Sequence, residues 1–216
     1  EAHGAHFNFI GEDYPNGIAL GANAVVQSWH KTLPVLNQGS VLLSGKESKD
    51  YNFRESINLF QTTSPSYLIM STIDSAADFL IGKKNDIIKS GKKWKNFFKK
   101  LELKNLKIFT YKESESDPFK LLVYLNKKAD NLTEEIIVEK YKIQPEIIDK
   151  ERLLFMLSLL FDEELAIRIQ ESLIELDIEL NNYPGLIKHQ EVGREKVFMI
   201  TKTPQELNNL EKKVVP

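Results

Sequence analysis

Ser28-Trp29-His30-Lys31-Thr32-Leu33-Pro34 stands between two short apolar runs, Ala24-Val25-Val26 and Val41-Leu42-Leu43. The spacing predicts a strand, a polar loop and a second strand, with Lys31 near the start of the loop. Runs this apolar predict strands buried on both faces, and so a lysine in an apolar setting. A buried ammonium is costly, and such a lysine tends to lose its proton or form a covalent bond. Neutral lysine is a nucleophile, and one use of it is a Schiff base with a carbonyl cofactor. Lys31 is therefore the first candidate for chemistry.

The composition narrows the alternatives. A chain of 216 residues can bury a core, in one large domain or two small ones. The 29 Lys and Arg nearly balance the 31 Asp and Glu, so no global field attracts nucleic acid or an anionic membrane. There is no cysteine, which removes disulfides, thiolate catalysis and cysteine metal sites and fits a reducing compartment. No apolar run approaches the roughly 18 residues of a membrane span, and no signal peptide is visible. The expectation is a cytoplasmic protein with neither nucleic acid nor membrane as partner. His3 and His6 could share a helical face, but no third ligand is close and only His30 and His189 remain, so no metal is expected. Glu1 begins abruptly, without Met, in a stretch that reads as structured, so an upstream part is expected to be missing.

Four motifs in order make a resemblance specific. Ala2-His3-Gly4-Ala5-His6-Phe7 is followed after about twenty residues by Gln27-Ser28-Trp29-His30-Lys31-Thr32-Leu33-Pro34. Gln61-Thr62-Thr63-Ser64-Pro65-Ser66-Tyr67 comes next, with Ser71-Thr72-Ile73-Asp74-Ser75-Ala76 after it, and then Asp117-Pro118-Phe119-Lys120. From Glu1 to about Leu180 the chain resembles the Orn/Lys/Arg decarboxylase family, pyridoxal-phosphate (PLP) enzymes of the aspartate aminotransferase-like fold type I. The family's first motif reads Asp-Glu-Ala-His-Gly-Ala-His, and this chain starts at its second letter.

The resemblance implies a site. Lys31 would hold PLP as a Schiff base and, once freed, move protons at the reacting carbon. His30 and Ser28 would donate to the phosphate or hold the loop around it. Ala2 would pack flat on the cofactor ring, and His3 would reach the ring oxygen or the substrate carboxylate. Thr62, Thr63 and Ser64 would approach the phosphate of a neighbouring subunit, which makes the site a property of a homodimer or higher oligomer. Glu146 would help recognise a basic substrate, whereas Asp149 reads as a solvated loop carboxylate. The implied activity is a lyase: decarboxylation of lysine, arginine or ornithine to an amine or polyamine precursor. The family's ring-nitrogen Asp and Gly/Ser-rich phosphate loop lie upstream of Glu1, so the chain is expected to be a C-terminal piece lacking part of the site. Two alternatives stay open: an aminotransferase or other fold type I enzyme, and a non-catalytic binding or assembly relative.

The expected class is α/β: the remainder of a fold type I large domain with a helical link over 1–104, then a small α+β C-terminal domain over 105–216. Helices are predicted from Tyr51 to Phe60, and from a Ser64 cap through Pro65 to Gly82. The lysine-rich stretch 83–104 interleaves Trp94, Phe97, Phe98 and Leu101, and reads as an amphipathic helix with its stripe inward. Strands are predicted at 106–111, 120–125 and 153–160, and a helix begins at Thr133. Asp162 is expected to cap a long helix through Leu180, and Lys196–Ile200 to form a last strand with a short helix from Thr203.

Overall fold

The computed structural model describes residues 1–45, 52–109, 116–127 and 130–183. The predicted Lys196–Ile200 strand, the helix from Thr203, and His189 lie outside them, as do Tyr51, Thr110 and Tyr111.

The lysine stretch is bracketed as expected. Strand β1 (Ala24–Gln27) pairs antiparallel with β2 (Val41–Ser44), Val25 opposite Leu43. Two features differ from the sequence reading. The Lys31 segment is not loop but one helical turn, α1 (Trp29–Thr32). Nor are the strands buried on both faces: Val26 is 61% exposed, and no residue of β2 is fully buried. Lys31 is itself exposed, so desolvation is not what makes it special. A three-residue apolar run cannot distinguish a strand covered on two faces from one covered on one.

Three helices follow. α2 (Phe53–Phe60) is capped by Asn52, whose side chain accepts from the Glu55 N–H at 3.2 Å. α3 (Tyr67–Gly82) is capped by Ser66 rather than Ser64, with Pro65 before the cap. α4 (Lys84–Lys99) has the inward stripe that the lysine spacing predicts: Ile87, Trp94 and Phe98 are buried and most of its lysines are exposed. Trp94 lies parallel to Phe98 and edge-on to Phe161, and its indole N–H donates to the Ser158 carbonyl at 3.0 Å.

A second sheet is antiparallel throughout, in the order β3 (Leu106–Ile108), β4 (Lys120–Leu125), β6 (Arg152–Met156), β5 (Ile147–Ile148). Leu121 faces Phe155 and Val123 faces Leu153, all buried on one side, while the alternate side is half-buried. β6 is interior, as its apolar density predicts, but it ends at Met156 and not at Leu160. The helix expected from Thr133 begins earlier, as α5 (Asp130–Glu134), and widens to a π-helical turn over Glu135–Lys140. Asp162 caps α6 (Glu163–Glu179) as predicted, its Oδ1 accepting from the Leu165 N–H at 3.0 Å. The buried sides of β4, β6, α4, α6 and the π turn join the Ala5–Ile10 segment and Trp29 in one apolar cluster.

Candidate active site

β1 leads directly into α1, and a network below them sets where that turn starts. Gln27 is fully buried, with every polar atom of its amide engaged. Its Oε1 accepts from Asn8 Nδ2 at 2.7 Å and from the Trp29 indole N–H at 3.2 Å; its Nε2 donates to Glu1 Oε2 at 2.7 Å. Buried amides satisfied on both ends are rigid anchors. Above Gln27, Trp29 fills the core edge-on to Phe9, and Lys31 projects from the opposite side of the turn into solvent.

His30 is held from the other direction. The Gly39 carbonyl accepts from both the His30 backbone N–H (3.2 Å) and its Nδ1 (2.9 Å). A carbonyl only accepts, so Nδ1 carries a proton. The contact ties His30 to the loop that follows α1. Gly39 suits this contact, because a side chain there would collide with Val35 and approach the Leu36 carbonyl to 3.0 Å.

His3 is brought to Lys31 from 28 residues away: its Nε2 lies 3.2 Å from Lys31 Nζ, and its Nδ1 lies 3.9 Å from Glu146 Oε1. The carboxylate favours the proton on Nδ1, so Nε2 accepts from the lysine amine. Three residues picked separately along 146 positions therefore meet in one row at the surface.

Other candidates fall nearby or apart. Ala2 precedes His3 and is half-buried. Ser28 precedes α1, its side chain making no capping bond to the helix. Thr62, Thr63 and Ser64 are exposed ahead of α3, and Thr62 Oγ1 accepts from the Ser64 N–H at 3.2 Å. Among the described residues no hydrogen bond ties these three to α1; α3 reaches the lysine's loop instead through Thr72, which accepts from the Leu36 N–H at 3.4 Å. Asp149 folds back on its own loop, accepting from the Glu151 and Arg152 N–H groups and pairing with the Arg152 guanidinium at 2.9 Å. Burial pushes its carboxyl up, but those bonds and the Arg152 charge outweigh this and leave it below the usual value.

The sequence reading missed a buried node. His6, 1% exposed, donates from Nε2 to both carboxylate oxygens of Asp117 at 3.0 Å. Lys120 Nζ lies 3.0 Å from Asp117 Oδ2, and the Phe119 N–H donates to Oδ1 at 3.0 Å. Lys120 also donates to the backbone carbonyl of His3 at 3.0 Å. Burial raises the Asp117 carboxyl, but the His6 hydrogen bond and charge, then the Lys120 charge and the Phe119 N–H, bring it below its ordinary value. The i,i+3 spacing of Asp117 and Lys120 was a local signal; the pairing with a histidine 111 residues away had none.

The donor set fits a phosphorylated carbonyl cofactor: an exposed primary amine, a neighbouring imidazole, and a hydroxyl at a helix start not used for capping. Among the described residues, no group of three His, Asp or Glu could hold a metal ion, and no helix is long and apolar enough to cross a membrane.

Comparison with known proteins gives the family and the fold. The family model for the Orn/Lys/Arg decarboxylase major domain matches residues 1–122, the N-terminal part of this chain. The chain is 33% identical over 167 residues to the uncharacterized protein YaaO of Bacillus subtilis (strain 168), covering 74% of this chain and 35% of YaaO. It is 25% identical over 230 residues to the arginine decarboxylase of the same organism, covering 100% of this chain and 46% of that protein. The chain thus spans between a third and a half of the length of these curated relatives. Among solved structures, the fold is similar to the Francisella novicida lysine decarboxylase LdcF, with TM-score 0.61 and 17% identity over 84% of this chain and 32% of that one. It is also similar to the Sphingomonas wittichii serine palmitoyltransferase, with TM-score 0.58 and 16% identity over 85% of this chain and 47% of that one.

Proposed function

This chain belongs to the Orn/Lys/Arg decarboxylase family, and we propose that it carries the lysine and part of the pocket of a PLP-dependent enzyme that decarboxylates lysine, arginine or ornithine. The observation that carries the reading is the row Lys31–His3–Glu146, at 3.2 and 3.9 Å, beside a Ser28 that caps nothing.

PLP, when bound, supplies an electron sink for the carbon that loses the carboxylate. The chain's own residues do the rest. Lys31 would hold the cofactor through its exposed amine and would serve as a proton carrier beside it. His3, its Nδ1 turned to Glu146, offers Nε2 as the acceptor for a proton at Lys31 Nζ. Ser28 would donate to the phosphate, and His30 ties the 36–40 loop to α1. Ala2, with its small side chain, would leave room for the cofactor ring. Glu146, half-exposed at the rim, faces a substrate whose far end is cationic.

We also propose that Thr62, Thr63 and Ser64 serve the phosphate of a partner in a homodimer. Leu59, Phe60, Tyr67 and Leu68, which flank them, are 66–91% exposed, a patch that a partner would cover. The division at residues 104 and 105 is proposed as the domain boundary, where α4 gives way to the second sheet. An aminotransferase would grip its substrate carboxylate with an arginine, and Arg152 is already paired with Asp149.

The test is addition of PLP, reduction with borohydride and peptide mapping, followed by a carbon dioxide release assay on lysine, arginine and ornithine. A pyridoxyl group on Lys31 with carbon dioxide release supports the reading. An enzyme of full family length that carries no adduct on Lys31 is the non-catalytic relative.

A further inference from the structure

His3 has no side-chain anchor among the described residues beyond Lys31 and the 3.9 Å ion pair with Glu146. Its backbone, however, is gripped. Lys120 Nζ donates to the His3 carbonyl, and the same ammonium is held by Asp117 at 3.0 Å. Three residues further on, the His6 ring is held by both oxygens of that same carboxylate. The segment from His3 to His6 is therefore clasped at each end by one carboxylate at the start of β4. That segment is short and mostly buried, with Gly4, Ala5 and His6 inside, so its two ends fix the direction in which His3 leaves it.

We propose that Asp117, acting through His6 and Lys120, is a positioning residue that aims the His3 imidazole at Lys31. This rests on the reading of Lys31 and His3 as a working pair. Asp117 touches neither, and its effect passes through the His3 backbone.

The geometry sets what must change. With His3 in place, the Lys31 amine donates to Nε2, and an electrophile must break that bond and pass the ring. Releasing His3 removes both obstacles, and a hydrogen bond of ordinary net strength corresponds to about a fivefold rate change.

The test is competitive labelling of the whole chain with trace acetic anhydride, read lysine by lysine by peptide mapping, with exposed Lys84 on α4 as internal reference. It needs no cofactor. Asp117→Asn and Lys120→Met should each raise Lys31 labelling about fivefold while leaving Lys84 unchanged. His3→Gln should give the same rise, and adding Asp117→Asn or Lys120→Met to it should give no more, because the effect runs through His3. Lys120→Met removes the link to the His3 carbonyl while leaving the Asp117–His6 pair in place, and it decides between the outcomes if Asp117→Asn does not fold. Unchanged Lys31 labelling in the folded variants overturns the proposal, as does a rise that persists in the His3→Gln background or is shared by Lys84. Failure of the cofactor reading would appear separately, as PLP and borohydride leaving Lys31 unmodified in a wild-type chain whose labelling obeys the pattern above.

Discussion

Replacing Asp117 with Asn should cost far more stability than the change of one atom suggests. The carboxylate is 10% exposed and surrounded only by donors: His6 Nε2, Lys120 Nζ and the Phe119 N–H. An asparagine must turn its NH2 towards one of them. Whichever way it turns, at least one of these donors then faces another donor. Removing one member of a buried ion pair strands the other, and about 3 kcal/mol is the expected loss. With a urea m-value of about 2–3 kcal/mol/M, the midpoint should fall by roughly 1 M. The acid side supplies the sign. The folded carboxyl lies below its ordinary value of 3.8, so the unfolded chain binds the proton first. The contribution is complete above that ordinary value and is lost as pH falls through the depressed folded value. The gap between wild type and Asp117→Asn should therefore be wide near pH 7 and shrink by about pH 3. Urea titrations of both proteins at the two pH values decide it. A midpoint shift below about 0.3 M near neutrality, or a gap that widens in acid, would refute the reasoning.

Three further outcomes follow from packing. Trp94→Ala should lose about 3–5 kcal/mol, since the indole is 1% exposed and its N–H holds the Ser158 carbonyl; urea denaturation followed by circular dichroism measures it. Gln27→Met should cost about 2 kcal/mol by leaving Asn8 and the Trp29 N–H unpaired, and should shift Trp29 emission; equal stability would mean the network is dispensable. Gly91→Val should cost about 1–3 kcal/mol despite its helical position, because a Cβ there already meets Pro118 at 3.0 Å and Phe119 at 3.4 Å; calorimetry showing a gain would mean that the 117–119 segment yields freely.

Much of the local structure was legible in the residues. The inward stripe of α4, the Asp162 cap and the interior place of β6 depend on nearest neighbours and periodicity, and the structure bears them out. What was not legible depends on partners distant in sequence. Burial of β1 and β2 depends on what lies across each face, and Val25 at 8% and Val26 at 61% exposure look alike in the chain. The α3 cap falls on Ser66 and not on Ser64: either hydroxyl can cap, and the Pro65 position that favoured Ser64 did not decide it. Lys31, His3 and Glu146 were each singled out, but only the fold shows them in one row.

The same contrast separates reaction from fold. A serine palmitoyltransferase and a lysine decarboxylase share this architecture with the chain at similar TM-scores, 0.58 and 0.61, so the architecture does not choose the chemistry. The choice must lie in side chains that face the reacting carbon and in whatever holds them. Here the holding carboxylate is largely buried while the held imidazole is only half-buried: Asp117 at 10% against His3 at 34%. A rim residue such as Glu146 can change with little cost to folding, whereas the Asp117 node cannot, since about 3 kcal/mol is a large part of a domain's total stability. If Glu146 reads the substrate and Asp117 aims His3, as proposed above, substrate preference is free to vary at Glu146, and the aim of His3 at Lys31 is tied to the stability of the fold itself.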